Sequence, residues 1–570
     1  MYQARPKIQI KTDVKVQSGY AEVFAEIVEN LKSKNGDIVT FECYPGLDVT
    51  KLIEEVQRWD NSINIYQTDD YYKSARVISE QLQDTLTDDR VFGKFSHQTF
   101  MDFIDESKYM DLMKKLADSS EATFLIGVGA SQFLKGDIQV YCNMTKWEIQ
   151  KSFREGSENW QANNAIEEPL KKIKRSYYFE WPAADEIKKK QIPVSDYVID
   201  CSKMDSIKMI DGKGYLEALN EFTRTPFRLV PYFDPGVWGG KWMQEKFDVD
   251  PEKVNLAWSF DGVPEENSVI FVANDIEFEV PGNDIVFFFP KELLGERVYG
   301  RFGSDFPIRF DYLDTMGGGN LSLQVHPTLD YAYRKFGLKY TQDESYYIMD
   351  CAENAYVYLG LKDGVEISDL VLALEQSQIT GEFDAEEYIN KIPVKPHDHF
   401  LIPAGTIHCS GRDCVVLEIS TTPNRFTFKL WDWGRTDLDG KPRPIHINHG
   451  KYVINDEMRT EKVQNELVNA VIDIKNGDNF REEKTGLHKL EPIETRRHYF
   501  TDTVLHSNHD SVNMLNLVQG DQIMIESTDN SFEKVILNYG ETFIIPEAIK
   551  QYKITPLTEG EYITMKAFIR

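Results

Sequence analysis

Cysteine is scarce in this sequence. The six in 570 residues stand at 43, 142, 201, 351, 409 and 414, with no CxxC pair among them. That scatter argues against a disulfide framework and for a reduced, cytoplasmic protein. Long apolar runs are missing too. The densest, Ile285-Val-Phe-Phe-Phe289, is strand-sized, far short of the roughly 20 residues that span a bilayer. The opening Met1-Tyr-Gln-Ala-Arg-Pro-Lys-Ile8 lacks an apolar stretch of the signal-peptide kind. Basic charge is in deficit: 64 Lys and Arg against 93 Asp and Glu leave a net charge of −29. General nucleic-acid binders and acidic-membrane binders need a basic surface, so this balance argues against both. A small anionic substrate held by a local cluster of Lys or Arg remains compatible with it. What the chain does have is core material, 41% hydrophobic and 12% aromatic, in a length that suggests three or four domains at roughly 150 residues each.

The first part alternates strand and helix patterns. Asp37-Ile-Val-Thr-Phe-Glu-Cys-Tyr44 reads as a buried strand closed by Pro45-Gly46, and Val49 to Arg58 as a helix. Ile63-Asn-Ile-Tyr66 and Ala122 to Val128 read as further strands, so a parallel sheet with βαβ crossovers is expected. After Arg228 the texture becomes short apolar runs ended by Gly, Pro, Asn or Asp. Ser268 to Ala273, Ile285 to Phe289, Ala355 to Leu361 and Cys414 to Ser420 are such runs, and they predict an antiparallel β domain. A helical interruption is expected near 366–392. Asp398-His-Phe-Leu-Ile-Pro403 recurs as Glu541-Thr-Phe-Ile-Ile-Pro546, each between apolar strands. Two related barrel lobes explain that repeat, with Asn476 to Thr485 as a linker between them. The expected organisation is therefore multidomain: an α/β domain over 1–225, a β domain over 226–475, and a second β lobe over 486–570.

Chemistry concentrates in Leu321-Ser-Leu-Gln-Val-His-Pro327. Alternate strand residues share a face, so Ser322, Gln324 and His326 point one way and Leu323 and Val325 the other. Glu344, ahead of an apolar run, supplies a carboxylate, and His408, in Ile402-Pro-Ala-Gly-Thr-Ile-His408, a second imidazole. Two imidazoles, a carboxylate and an amide oxygen suit Zn²⁺ with an open position. The plain alternative is that these are hydrogen-bonded barrel residues that bind nothing. In the repeat, the counterpart of His408 is Gln551, so only the first lobe keeps the imidazole.

These stretches, with Val237-Trp-Gly-Gly240, Phe306-Pro-Ile, Tyr312-Leu-Asp314, Leu417-Glu-Ile and Phe428-Lys-Leu-Trp-Asp-Trp433, resemble the type I mannose-6-phosphate isomerases, zinc-dependent double-cupin (jelly-roll) enzymes. The resemblance covers about 226–570. It implies Gln324, His326, Glu344 and His408 as ligands of one Zn²⁺, and aldose–ketose interconversion through a cis-enediol. Lys429, Arg435 and Glu418 are the implied catalytic positions. Ser322, Arg425 and Lys339 are candidate contacts to a sugar or sugar phosphate. Two departures bear on the phosphate. The family usually has lysines where this chain has Gln342 and Asp311. Replacing one cation by an amide and another by an anion weakens phosphate binding, unless Lys335 or Lys339 compensates. The family's Gly-Glu-x-Trp-Glu-x-Ser stretch reads Leu256-Ala-Trp-Ser-Phe-Asp-Gly262 here. Two alternatives stay open: an isomerase of an unphosphorylated sugar, and a non-catalytic sugar-binding or regulatory protein on the same scaffold. His397 and His399, flanking Asp398, are expected to be solvated loop residues.

The amino-terminal part resembles a degenerate nucleoside or uridine kinase in the order of its elements, with Thr68-Asp-Asp-Tyr-Tyr-Lys73 after the second strand. A phosphate-binding loop needs G-x-x-x-x-G-K-[ST]. The turn here, Glu42-Cys-Tyr-Pro-Gly-Leu-Asp-Val-Thr-Lys51, has one glycine, an inserted proline and acids at 42 and 48. No kinase activity and no tight ATP binding are expected. A scaffold, regulatory or dimerisation role remains, with homo-oligomers formed through this domain.

Overall fold

The computed structural model describes residues 1–117, 121–423, 425–486 and 488–570. Its contacts divide the chain into two units. One comprises Lys7–Glu221 and Ser268–Phe288; the other comprises Met1–Pro6, Phe222–Asn267 and Phe289–Arg570. Among the described residues no helix is long and apolar enough to cross a membrane.

The first unit is built on a seven-stranded sheet of β1 (Val16–Ser18), β2 (Ile38–Cys43), β3 (Asn64–Gln67), β4 (Thr123–Gly127), β5 (Ile138–Asn143), β6 (Tyr197–Asp200) and β7 (Lys208–Asp211). The spatial order is β1-β7-β6-β5-β2-β4-β3, parallel from β6 to β3, with β7 and β1 joined antiparallel. β4 and β5 are buried at every residue, as parallel strands covered on both faces must be. The expected parallel core is therefore present.

Ser268–Phe288 corrects the reading of everything after Arg228 as one β domain. Ser268–Ala273 and Ile276–Pro281 form a hairpin that pairs with Ile8–Gln9 inside the α/β unit. The apolar run at 285–289 is helical through Phe288, in the helix Gly282–Phe288, and is not a strand. A single polar residue explains its place. Asp284 is fully buried; it pairs with Lys188 at 2.9 Å and accepts hydrogen bonds from Tyr215 (2.6 Å) and Asn143 (2.8 Å).

The second unit holds two barrels. In the first lobe, one sheet runs β15-β12-β17-β10-β9-β8 and the other β14-β13-β16-β11-β18. The strands are β8 (Tyr232–Asp234), β9 (Trp258–Gly262), β10 (Ile308–Asp314), β11 (Leu323–Val325), β12 (Glu344–Cys351), β13 (Tyr356–Leu361), β14 (Ile389–Pro393), β15 (His399–Ile402), β16 (His408–Ser410), β17 (Cys414–Thr421) and β18 (Phe428–Trp431). Helices Ile367–Thr380 and Ala385–Tyr388 interrupt it. The insertion is shorter than expected, because Ile389 already begins β14 and pairs with Leu361.

The second lobe contains β19 (Ile472–Gly477), β20 (Phe480–Gly486), β21 (Ile493–Phe500), β22 (Val504–Ser507), β23 (Asn513–Gln519), β24 (Gln522–Ser527), β25 (Val535–Asn538), β26 (Thr542–Ile545), β27 (Gln551–Pro556) and β28 (Tyr562–Ile569). Its sheets run β19-β20-β21-β28-β23-β26 and β22-β27-β24-β25. The order β15-β12-β17-β10 thus recurs as β26-β23-β28-β21, and β14-β13-β16-β11 as β25-β24-β27-β22. The repeated hexapeptide supplies edge strands β15 and β26.

Two local readings are corrected here. The polar stretch 476–485 is not a linker: most of it lies in the β19–β20 hairpin. Its charges have cross-strand partners, Glu482 with Arg496 at 2.7 Å and Glu483 with Arg497 at 2.6 Å, so a strand is built from residues that read as loop. His399 is not solvated; it is fully buried at the start of β15. His397 is half-buried, within hydrogen-bonding distance of Tyr347 Oη (2.8 Å) and Gln519 Oε1 (3.1 Å).

Candidate metal centre

The site begins with strand register. Gln324 on β11 lies opposite His408 on β16 and opposite Lys429 on β18. Directly opposed residues of antiparallel strands share a face, so His408, Gln324 and Lys429 form one inward row. His326, two residues on, follows the parity of Gln324. Glu344 opens β12 in the facing sheet, where its neighbours are Ile402 and Ser420.

These rows bring His326 Nε2, His408 Nε2 and Glu344 Oε2 within 4.8 Å of one another, all three residues fully buried. His408 Nε2 is 3.8 Å from Glu344 Oε2, and His326 Nε2 is in direct contact with the same oxygen. The Gln324 amide lies 3.2 Å from His408 Nε2. A half-turn of that amide exchanges its nitrogen for its oxygen at the same place.

A second layer fixes both rings. His326 Nδ1 is 3.0 Å from the carbonyl of Phe426, and His408 Nδ1 is 2.8 Å from that of Thr406. A carbonyl only accepts, so each Nδ1 carries a proton and each Nε2 is the nitrogen turned toward Glu344. Burial pushes the His408 pKa down to about 4, which keeps the ring neutral. Two imidazole nitrogens and a carboxylate oxygen thus converge on one point, and among the described residues Glu344 Oε1 has no hydrogen-bond partner. A divalent cation resolves that convergence, and the N/O donor set fits one.

Beside the ligands, the inner face of β12, β17 and β10 carries an unusual polar wall. Glu344, Ser420 and Arg309 form one cross-strand row, and Tyr346, Glu418 and Asp311 the next. All six are buried. Gln342 Nε2 sits 3.4 Å from both Glu344 Oε2 and Glu418 Oε1. Burial lifts the Asp311 carboxyl to about 7 and Glu418 well above the usual range.

The other expected site residues separate into three groups. Lys429 stands half-buried in the ligand row, its pKa pushed down to about 8 by burial and then by Arg443. Ser322 donates to Asp432 at 3.1 Å, and Asp432 also pairs with Arg435 and Arg443, so Ser322 and Arg435 are tied into one ionic cluster. Arg425 pairs with Glu266 at 3.0 Å. Lys339 and Lys335 are exposed on the surface and do not replace the absent lysines of the wall. Sequence reasoning missed Arg309. Its signal was parity, since it lies two residues before Asp311 on the inward face of Ile308-Arg-Phe-Asp.

The second lobe tests the pattern. Ser507 opposes Gln551 as Gln324 opposes His408, and Asn513 opposes Ile545 as Glu344 opposes Ile402. Ser507 and Gln551 are nevertheless exposed where Gln324 and His408 are buried, which corrects Gln551 as the counterpart of His408: the buried pair on this ladder is His506 opposite Tyr552, whose hydroxyl donates to Asn513. Among the described residues, His326, Glu344 and His408 are the only such group of three His, Cys, Asp or Glu able to hold a metal ion.

The chain is similar to mannose-6-phosphate isomerases. It is 27% identical over 237 residues to mannose-6-phosphate isomerase ManA of Bacillus subtilis (strain 168), covering 41% of this chain and 69% of that protein. It is 29% identical over 226 residues to the mannose-6-phosphate isomerase of Streptococcus mutans, covering 39% of this chain and 65% of that protein. The chain thus spans about two thirds of the length of these relatives. The crystal structure of the mannose 6-phosphate isomerase from Bacillus subtilis matches with a TM-score of 0.50 at 19% identity, over 60% of this chain and all of that one, so the fold is shared. Residues 19–224 match a family described as a domain of unknown function, DUF8485.

Proposed function

We propose that this chain is a metal-dependent aldose–ketose isomerase of the mannose-6-phosphate isomerase type, interconverting mannose 6-phosphate and fructose 6-phosphate or a related pair. The observation that carries it is the convergence of His326, Glu344 and His408, joined by Gln324, beside a buried polar wall. The residues that would hold the metal are these four, and their N/O character favours Zn²⁺. When bound, Zn²⁺ polarises sugar oxygens and stabilises the negative charge that develops on them.

The chain's own groups do the rest. The wall orients the sugar through its buried hydrogen-bonding atoms and excludes water. Glu418 and Asp311, with raised affinity for protons, are placed to hold or move a proton at their carboxyl oxygens as hydrogen passes between C1 and C2. Lys429 offers an ammonium whose pKa is brought toward the working range, and Arg435, braced by Asp432, adds positive charge. Ser322 braces Arg435 through Asp432, and Arg425, paired with Glu266, is a candidate contact to the sugar.

The test is turnover by the full chain with stoichiometric Zn²⁺, followed by the appearance of ketose in NMR spectra. Turnover abolished by chelation and restored by Zn²⁺ is expected. A fully loaded protein that binds sugars and never converts them would sink the reading and leave a sugar-binding protein. A second reading, an isomerase of an unphosphorylated sugar, is favoured by Asp311 and Gln342 in place of lysines; equal turnover of mannose and mannose 6-phosphate would support it.

For the amino-terminal unit we propose a degenerate kinase-like domain without nucleotide chemistry, serving as a scaffold or dimerisation module in a cytoplasmic enzyme. The strand order β3-β4-β2-β5-β6 supports the likeness. At the turn after β2, the Asp48 carboxylate accepts from Lys51 N at 3.0 Å and so caps the helix Val49–Trp59 with a side chain. Glu42 accepts from Gly129 N (2.7 Å) and Ser131 N (2.8 Å). Carboxylates therefore engage backbone amides of the kind that cradle phosphates elsewhere.

A further inference from the structure

Arg309 is 3% exposed, yet among the described residues its Nε and Nη1 have no hydrogen-bond partner; Nη2 lies 4.0 Å from Asp311 Oδ2, and its charge acts also on the buried Glu265 and Glu418. A buried guanidinium with unmade bonds is costly, since each unsatisfied donor forfeits its hydration for nothing in return. Two other atoms of the wall are left open in the same way: among the described residues, Asp311 Oδ1 and Gln342 Oε1 are buried and unpartnered. Such groups gathered on one inner sheet face are what a polar ligand would satisfy. Asp311, Gln342, Gln324 and Glu418 each keep 5–8% of their surface exposed, so the wall is not sealed.

We propose that Arg309 is the anion-recognising residue of this pocket and takes the phosphate monoester of the substrate. The inference rests on the isomerase reading and names the phosphorylated sugar as its substrate class. Register sets the distance. Arg309 and Glu344 are both opposed to Ser420, one strand to either side, so their backbones lie about 10 Å apart at the usual strand spacing. An open-chain sugar held by its C1 and C2 oxygens at the ligand cluster extends its far end along that face. The guanidinium stands one pleat from Asp311, so a cation absent at 311 is present two residues earlier on the same face. Burial lifts the Asp311 carboxyl to about 7, which reduces its repulsion of an anion. Arginine, planar and always charged, matches phosphate geometry.

The experiment uses the Zn²⁺-loaded full chain, R309L and R309K. Turnover of mannose 6-phosphate and of mannose is measured for each, with inorganic phosphate as competitor. In R309L the ratio of kcat/KM for the phosphate ester over that for mannose is expected to fall at least tenfold, mainly through KM, and inhibition by phosphate to disappear. R309K is expected to recover part of both. An unchanged ratio and unchanged phosphate inhibition in metal-loaded R309L would overturn the proposal. Should the wild type convert neither sugar, the isomerase reading fails on its own. Calorimetry with inorganic phosphate then decides the role of Arg309: binding lost in R309L supports it, and binding absent from the wild type or equal in both overturns it. Should R309L not fold, R309K carries the comparison, with weakened phosphate binding supporting the proposal and unaltered binding overturning it.

Discussion

Replacing Glu344 by Gln removes the one anion of the ligand cluster and keeps the side chain's shape. Because the change conserves volume, packing costs less than about 1.5 kcal/mol. The metal term is larger. A protein held at about 1,000 times its metal Kd gains about 4.1 kcal/mol of stability from binding. Loss of even an outer hydrogen-bond partner weakens metal binding by about 10–100-fold, so loss of a charged ligand reaches at least the upper figure. At about 100-fold weaker binding the same metal concentration is only tenfold above Kd, and the gain falls to about 1.4 kcal/mol. The difference, about 2.7 kcal/mol, corresponds to about 5–10 °C in the melting of a lobe of this size. Scanning calorimetry with and without chelator should therefore show a chelator-sensitive transition in the wild type that is largely lost in E344Q, with metal content falling in step. Gln551→Ala, at the exposed position that matches His408 by sequence spacing in the second lobe, should leave both unchanged. An E344Q protein that retains one metal equivalent and the full chelator shift would refute the reasoning.

Further outcomes are expected elsewhere in the chain. Lys188→Met strands the buried Asp284 carboxylate in the α/β unit; denaturant unfolding should show a loss of about 3–5 kcal/mol, and wild-type stability would contradict the burial. Burial pushes the His498 pKa down to about 4, so the unfolded chain takes up the proton first and stability is lost as pH falls from about 6.5 toward 4. The stability difference between wild type and His498→Leu should shift against the wild type by about 2 kcal/mol between pH 7 and pH 5, and a pH-independent difference would exclude it. Calorimetry of the full chain with ATP and Mg²⁺ should give no heat of binding; micromolar affinity would overturn the nucleotide-free reading of the first unit.

How much of this was legible follows from the range over which each signal acts. Alternation within Leu321 to Pro327 reported the common face of Gln324 and His326, and the hexapeptide repeat reported two lobes, because strand parity and edge-strand composition are local. The tertiary partners of the Ser268–Phe288 segment were not readable. A hairpin of β-branched residues looks the same whichever sheet it joins, and its place is signalled by Asp284 meeting Lys188, 96 residues away in sequence. The β19–β20 hairpin was hidden for the opposite reason: its stabilising pairs are ionic, and the strand pattern sought was apolar. Arg309 escaped notice because the family motif drew attention to what stands at 311, whereas its interest lies in bonds it does not make.

The matching strand orders of the two barrels have a practical corollary. One barrel is, in effect, a drawing for finishing the other. His506 is already buried opposite Tyr552, which donates to Asn513, and two substitutions, Asn513→Glu and Tyr552→His, would write a carboxylate and a second imidazole onto these buried ladder positions. A chain so altered would report whether backbone geometry alone suffices to create a cation site, or whether the carbonyls that brace the imidazoles must be copied as well.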